Sequence, residues 1–111
     1  MNILSLETSC DETSAAILNF NQSSNKFELL SNIVSSQVEL HSSWGGVVPN
    51  LAAREHLKNI LPVTEEAIQK AGLKIENIDL FGVTQGPGLI PALLIGSNAA
   101  KALSYYYQKP L

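Results

Sequence analysis

The stretch Asp79–Tyr107 reads DLFGVTQGPGLIPALLIGSNAAKALSYYY, and its pattern changes twice along its length. Asp79 to Thr84 is a short apolar run of the kind that forms a buried strand. Gln85-Gly86-Pro87-Gly88 interrupts it with turn formers. From about Ala92 to Tyr107 the sequence predicts a helix, entered at Pro91, where the missing N–H of proline is tolerated. Lys101 is the only charge on that helix, and Leu93, Leu94, Ile95, Ala99, Ala102 and Leu103 spread around most of its circumference. A helix so apolar is expected to bury more than one side. Ala92, Gly96 and Ala100 recur at every fourth residue, a strip of small side chains that would let another backbone approach closely. Such a helix is either sandwiched within its own domain or offers a surface to a further subunit or lobe.

Upstream, from Leu51 to Ala71, the set Leu57, Ile60, Leu61, Thr64, Ala67, Ile68 and Ala71 falls at helical spacing. Asn50 suits an N-cap, and Gly72 sits where a left-handed C-terminal residue is needed. Pro62 removes a backbone donor and is expected to kink this rod or split it in two. Nearer the amino terminus, Ile3 to Leu6, Thr13 to Phe20 and Phe27 to Val38 read as strands. The run Asn21-Gln22-Ser23-Ser24-Asn25 is a hairpin signal. Links this short fit antiparallel pairing and are too short for a parallel crossover. The expected order is strand, strand, strand, helix, strand, helix: a single α/β domain over residues 1–111.

Composition narrows the function. Seven Lys and Arg against ten Asp and Glu give a net charge of −3 and a pI near 5.2. That excludes a protein gripping nucleic acid through bulk positive charge. With 45% hydrophobic and 15% charged residues the chain is a folded domain, not a disordered tail. Cys10 is the only cysteine, which excludes an internal disulfide framework and a multi-cysteine metal site. No apolar run approaches the roughly 18 residues that span a bilayer. Met1-Asn2-Ile3-Leu4 lacks the charged and apolar regions of a secretory leader. These features point to a cytoplasmic protein with no membrane partner.

Three segments carry candidate chemistry. Glu7-Thr8-Ser9-Cys10-Asp11-Glu12-Thr13 is a polar turn between two strands, and it sets hydroxyls and carboxylates at one rim of a sheet. Asp11 and Glu12 could orient a nucleophile or hold a metal through water. The same residues would equally cap the backbone of a plain hairpin turn. In Gly86-Pro87-Gly88 the glycines let the backbone approach a ligand, and the helix that follows attracts anions at its N-terminus. The Lys-Ser/Thr pair of a Walker loop is absent, and a tight strand-to-helix turn explains the composition as well. Gly45-Gly46-Val47-Val48-Pro49 specifies a backbone path, with Trp44 expected as a packing lid beside it. His41 is expected in a surface loop and His56 on the polar or boundary face of its helix. The two form neither an H-x-x-x-H nor an H-E-x-x-H pair, so a metal site from this chain alone is not expected. Cys10 has no basic neighbour to make it a catalytic thiol.

The element order resembles a ribonuclease-H-like half, the building block of the actin, hexokinase and Hsp70 superfamily. That resemblance implies a fourth strand parallel to the first and a fifth after the second helix. Lys109-Pro110-Leu111 falls where the fifth would begin, so the expectation is an incomplete first lobe of a two-lobed protein, truncated before the fifth strand, with the fourth strand left as an apolar edge. Glu7 to Thr13, Ser36-Gln37-Val38, Gly45 to Pro49, Ala53-Arg54-Glu55-His56 and Gly86-Pro87-Gly88-Leu89, in that order, closely resemble the amino-terminal part of the TsaD family.

Similarity to that family implies transfer of threonylcarbamoyl from threonylcarbamoyl-adenylate to N6 of the adenosine 3′ of the anticodon. By the same resemblance Asp11 is the catalytic or orienting carboxylate and Glu12 a supporting one. Thr8, Ser9, Gly86, Pro87 and Gly88 are the implied substrate-binding residues. The family's iron or zinc would be held by ligands beyond Leu111, so this chain is expected to bind no cofactor and to be inactive alone. A TsaB-like subunit is the implied partner, through helices about 51–71 and 92–107, with tRNA and the adenylate bound only in the full assembly. The alternative is a non-catalytic TsaB-like scaffold, which shares the half-fold and a similar glycine-proline-glycine turn. Ser9 to Glu12 and Gly45 to Pro49 match TsaD better.

Overall fold

Apolar residues alternate along Asn2–Glu7 (β1) and bury Leu4 and Leu6 on one face. The computed structural model describes residues 1–111. Glu12–Asn21 (β2) turns Thr13, Ala15 and Ile17 to the same face, with Leu4 opposite Ile17 and Leu6 opposite Ala15 in antiparallel register. Asn21 accepts the backbone N–H groups of Ser23 and Ser24 through Oδ1, and Asn25 takes a left-handed φ of 51°. That closes the expected hairpin into Lys26–Ser36 (β3), antiparallel to β2 with a bulge at Ile17 and Leu18.

The expected third strand, Phe27 to Val38, ends two residues early because Val38–Ser42 forms a short helix, α1. The long helix α2 spans Pro49–Lys70, and Leu80–Val83 (β4) pairs parallel with β1, Leu4 opposite Phe81. Ile90–Tyr107 forms α3. The sheet order is β3-β2-β1-β4, and one core unites Leu4, Leu6, Ile17, Ile60, Val63, Ile78, Phe81 and Ala100 from sheet and helices. Three antiparallel strands, a helix, a parallel strand and a helix make the ribonuclease-H-like half. On the outer edge of β4, Phe81 donates its N–H to Pro110 O at 2.9 Å, so Pro110 lies alongside that strand.

Several expectations need correction. Pro62 neither kinks α2 into two elements nor ends it. Pro62 and Lys58, whose carbonyl loses its helical partner, are both on the exposed side, where solvent can reach the freed oxygen. Val63, Thr64 and Ala67 stay buried beneath and hold the rod to the sheet. The helix begins at Pro49 with Val48 as N-cap, so Asn50 lies inside the first turn and caps nothing. Trp44 is 68% exposed and covers no core. His41 and His56 are both buried, one in α1 and the other in α2.

The strip Ala92, Gly96, Ala100 faces the chain's own sheet, not a second backbone from outside: all three residues are buried. The reason is Thr8. Its hydroxyl donates to Ala92 O at 2.8 Å and accepts from Gly96 N–H at 3.1 Å, so α3 sits almost on the end of β1. A Cβ at Gly96 would fall 2.6 Å from Thr8 Oγ1. The outer side of α3 carries Ile90, Leu94, Tyr105 and Tyr106, all exposed.

Gly96→Ala gains about 1 kcal/mol of helix propensity. Against that stand overpacking of about 1–3 kcal/mol and a broken buried hydrogen bond of about 1 kcal/mol, so the net effect is a loss of stability. The urea midpoint should fall. It should stay nearly unchanged for Gly46→Ala, where an added Cβ meets nothing within 4 Å.

Candidate functional site

Because β4 runs parallel to β1, the C-terminal ends of both strands reach one rim of the sheet. In open α/β sheets that rim is where ligands are met. Two loops emerge there, Thr8 to Asp11 and Thr84 to Leu89, and they are tied together by Leu89 N–H donating to Ser9 O at 2.8 Å. Gly88 lies flat on Ser9: a Cβ there would be 2.6 Å from Ser9 O and 2.8 Å from Ser9 Cβ. Close packing of one loop on the other therefore explains Gly88. The start of β2 and the end of β3 border the same rim, since Glu12 is opposite Ser36.

The structure brings Ser9, Asp11, Glu12, Gly86, Pro87 and Gly88 to this edge, with Gly86, Pro87 and Gly88 exposed and the other three half-buried. Thr8 does not join them. It is 1% exposed and its hydroxyl is committed to Ala92 and Gly96, so it seats α3 instead of facing a ligand. Glu7, to which sequence reasoning gave no role, belongs to the rim. Burial works to raise its pKa, but hydrogen bonds from Ser9 and Thr84 outweigh it and hold the carboxyl below the ordinary glutamate value. Its place at the end of an alternating strand was the available signal, masked by the more conspicuous Asp-Glu pair.

Glu12 shifts the other way: partial burial, then the hydrogen bond and negative charge of Asp11, push it up. A glutamate that keeps its proton to higher pH than usual beside a second carboxylate is suited to proton transfer. Cys10 is exposed, and partial burial with the neighbouring Asp11 carboxylate raises its thiol pKa, the opposite of an activated nucleophile. Asp11 also lines an open cavity of about 210 Å³ with Val38, His41, Ser42, Gly46 and Val47. This brings the Gly45 to Pro49 loop to the site. A larger concavity of about 290 Å³ runs along the outside of α3 past Ile90, Leu94 and Lys101, away from every carboxylate of the rim.

No group of three His, Cys, Asp or Glu side chains is placed to hold a metal ion. The two histidines spend both ring nitrogens inside the fold. His56 Nε2 faces Cys10 O at 3.0 Å and Nδ1 faces Thr13 Oγ1 at 2.8 Å. His41 Nε2 faces Gln37 Oε1 at 2.9 Å, and its Nδ1 accepts from Val48 N–H at 3.4 Å. These residues do not fit a metal.

Comparison with known proteins adds identity to this geometry. The TsaD family, described as tRNA N6-adenosine threonylcarbamoyltransferase, matches residues 28–111. Proteins of that name from Bacillus subtilis, Persephonella marina and Phytoplasma australiense are 54%, 50% and 56% identical over all 111 residues. The chain spans about a third of their length, 31–32%. Among solved structures, YeaZ from Pseudomonas aeruginosa superposes with a TM-score of 0.69 at 21% identity, covering 99% of this chain and 42% of that one. At that identity the likeness speaks to the fold alone.

The opposed shifts of Glu7 and Glu12 give opposite pH signatures. Glu12 is raised above 4.5, so the native state holds its proton longer, and stability falls as pH rises from 4.5 through the folded value. Glu12→Gln should therefore gain on the parent chain as pH rises through that window. Glu7 is lowered below 4.5, so its contribution is full above 4.5 and is lost as pH falls through the folded value. Glu7→Gln should lose stability at neutral pH and converge on the parent chain in acid. Urea midpoints between pH 3 and 8 read both; parallel curves for the two variants would contradict the assignment.

Proposed function

The chain belongs to the TsaD family of tRNA N6-adenosine threonylcarbamoyltransferases, and from that premise we propose that residues 1–111 form the first-lobe wall of a cytoplasmic, two-lobed transferase. The reaction is movement of threonylcarbamoyl from threonylcarbamoyl-adenylate to N6 of the adenosine 3′ of the anticodon. The observation that carries this reading is the rim at the ends of β1 and β4, where the turn into β2 carries Asp11 and Glu12, in a chain about half identical to its relatives over its whole length.

Chemically the step is acyl transfer to an aryl amine. A C–N bond forms to the carbamoyl carbon, the C–O bond to the adenylate phosphate breaks, and the amine loses one proton. Asp11 is the residue to orient the amine and accept that proton, with Glu12 sharing the charge of the pair. Ser9 and the Gly86-Pro87-Gly88 turn offer backbone groups to the substrate beside it. The iron or zinc of the family would take its ligands from outside these 111 residues.

A TsaB-like subunit is the partner proposed for the helical layer. Leu57 and Leu61 on α2 and Ile90, Leu94, Tyr105 and Tyr106 on α3 are all exposed, more apolar side chains than a free helical face needs. A groove between the helices, lined by Leu61, Ile68, Leu103 and Tyr107, adds depth to that surface. The net charge of −3 leaves the grip on tRNA to the rest of the assembly.

Asp11→Ala in the gene product that contains this chain, assayed with its TsaB-like partner on tRNA, should lower kcat by roughly 10²–10⁴-fold, the usual contribution of a positioned acid or base. Its thermal melting should match the parent. Unchanged turnover would remove Asp11 from the reaction.

A further inference from the structure

Ser36-Gln37-Val38 and Ala53-Arg54-Glu55-His56 stand out in the sequence, yet only Ser36, which hydrogen-bonds Glu12, and Val38, in the cavity beside Asp11, bring side chains to the rim. The structure shows where they act. Two peptide planes meet at the Cα of Asp11, and their orientations set its φ and ψ. The first plane carries Cys10 O, which faces His56 Nε2 at 3.0 Å. The second carries Asp11 O, which accepts Gln37 N–H at 2.9 Å. Both tethers come from other elements, His56 from α2 and Gln37 from the residue between β3 and α1.

The protonation of His56 follows from its partners. A carbonyl oxygen can only accept, so Nε2 carries the proton and donates to Cys10 O. Nδ1 is then the acceptor, and the Thr13 hydroxyl donates to it at 2.8 Å. Gln37 is fixed in turn: its Nε2 donates to Ala52 O at 3.3 Å, and its Oε1 accepts from His41 Nε2–H at 2.9 Å. His56, Thr13, Gln37 and His41 are all buried, and no buried side-chain polar atom lacks a partner. A fully satisfied buried network of this kind has one low-energy arrangement and resists displacement.

We propose that His56 is a positioning residue for Asp11, acting through its Nε2–H···O=C bond to Cys10, with Gln37 fixing the other side of the same residue. The proposal rests on the transferase reading above. His56 touches no substrate. It holds the turn that aims the Asp11 carboxylate, and misplacement of a reacting group by about 1 Å costs up to about a hundredfold in rate.

The test uses two conservative variants in the gene product that contains this chain, complexed with its partner. Glutamine places an amide N–H near the position of Nε2 and keeps the donor to Cys10 O. Asparagine mimics the Nδ1 side, keeping an acceptor for Thr13 and losing that donor. His56→Gln should keep kcat within about threefold, while His56→Asn should lose roughly tenfold to a hundredfold in kcat with KM for tRNA unchanged. A merely structural histidine would not separate the two. An active parent whose Gln and Asn variants have equal kcat overturns the proposal alone; a parent without transfer activity overturns the functional reading and the proposal together.

Imidazole ¹⁵N shifts of the parent decide the geometry even if a variant fails to fold. The tautomer expected carries its proton on Nε2, with Nδ1 bare, and the opposite tautomer overturns the assignment.

Discussion

Parallel pairing of β1 with β4 is the constraint on which the rest of this structure depends. It carries the ends of both strands to one edge, so the loops after them, Thr8 to Asp11 and Thr84 to Leu89, must pack on each other. It also places α3, which follows β4 directly, across the end of β1. The Thr8 hydroxyl, bonded to Ala92 and Gly96, fixes that crossing at a distance only glycine allows. An antiparallel β4 would send its C-terminal loop to the far edge, and the Gly86-Pro87-Gly88 turn would never meet Ser9.

Charge at the rim is arranged by short-range contacts, not by net charge. Glu7 is held ionised by donors from Ser9 and Thr84, whereas Glu12 is opposed by the carboxylate beside it. The pKa values of two glutamates flanking one turn are thus displaced in opposite directions. Beneath them lies a layer of buried donors and acceptors, Thr13, Gln37, His41 and His56, that ties the turn to α1 and α2. Rim carboxylates resting on a buried network with every polar atom partnered meet what a positioned carboxylate requires.

Membership of the TsaD family and the half-fold likeness to YeaZ fit together at different levels. The fold likeness describes a scaffold that can support more than one task. Identity near 50% over the whole chain distinguishes this sequence within it. The chain spans 31% of the Bacillus subtilis relative's length.

The fold class, the order of the main elements apart from the short α1, and the position of the two rim segments were legible in the sequence alone. Period-2 and period-3.6 patterns, a run of turn formers and a glycine-proline-glycine break are local signals, and local signals survive without coordinates. Pro62 misled because its cost depends on whether the freed carbonyl meets water, which only the exposure of Lys58 decides. The histidines misled more. His41 and His56 lie far from Asp11 in sequence, and no periodicity announces that one ring will donate to Cys10 O while the other braces Gln37. Thr8, a candidate ligand by its place in a polar turn, became a brace once α3 was laid against it. Sequence determined which residue types stood near the rim; the tertiary structure decided which of them face outward, because burial and hydrogen-bond partners are set by elements distant along the chain.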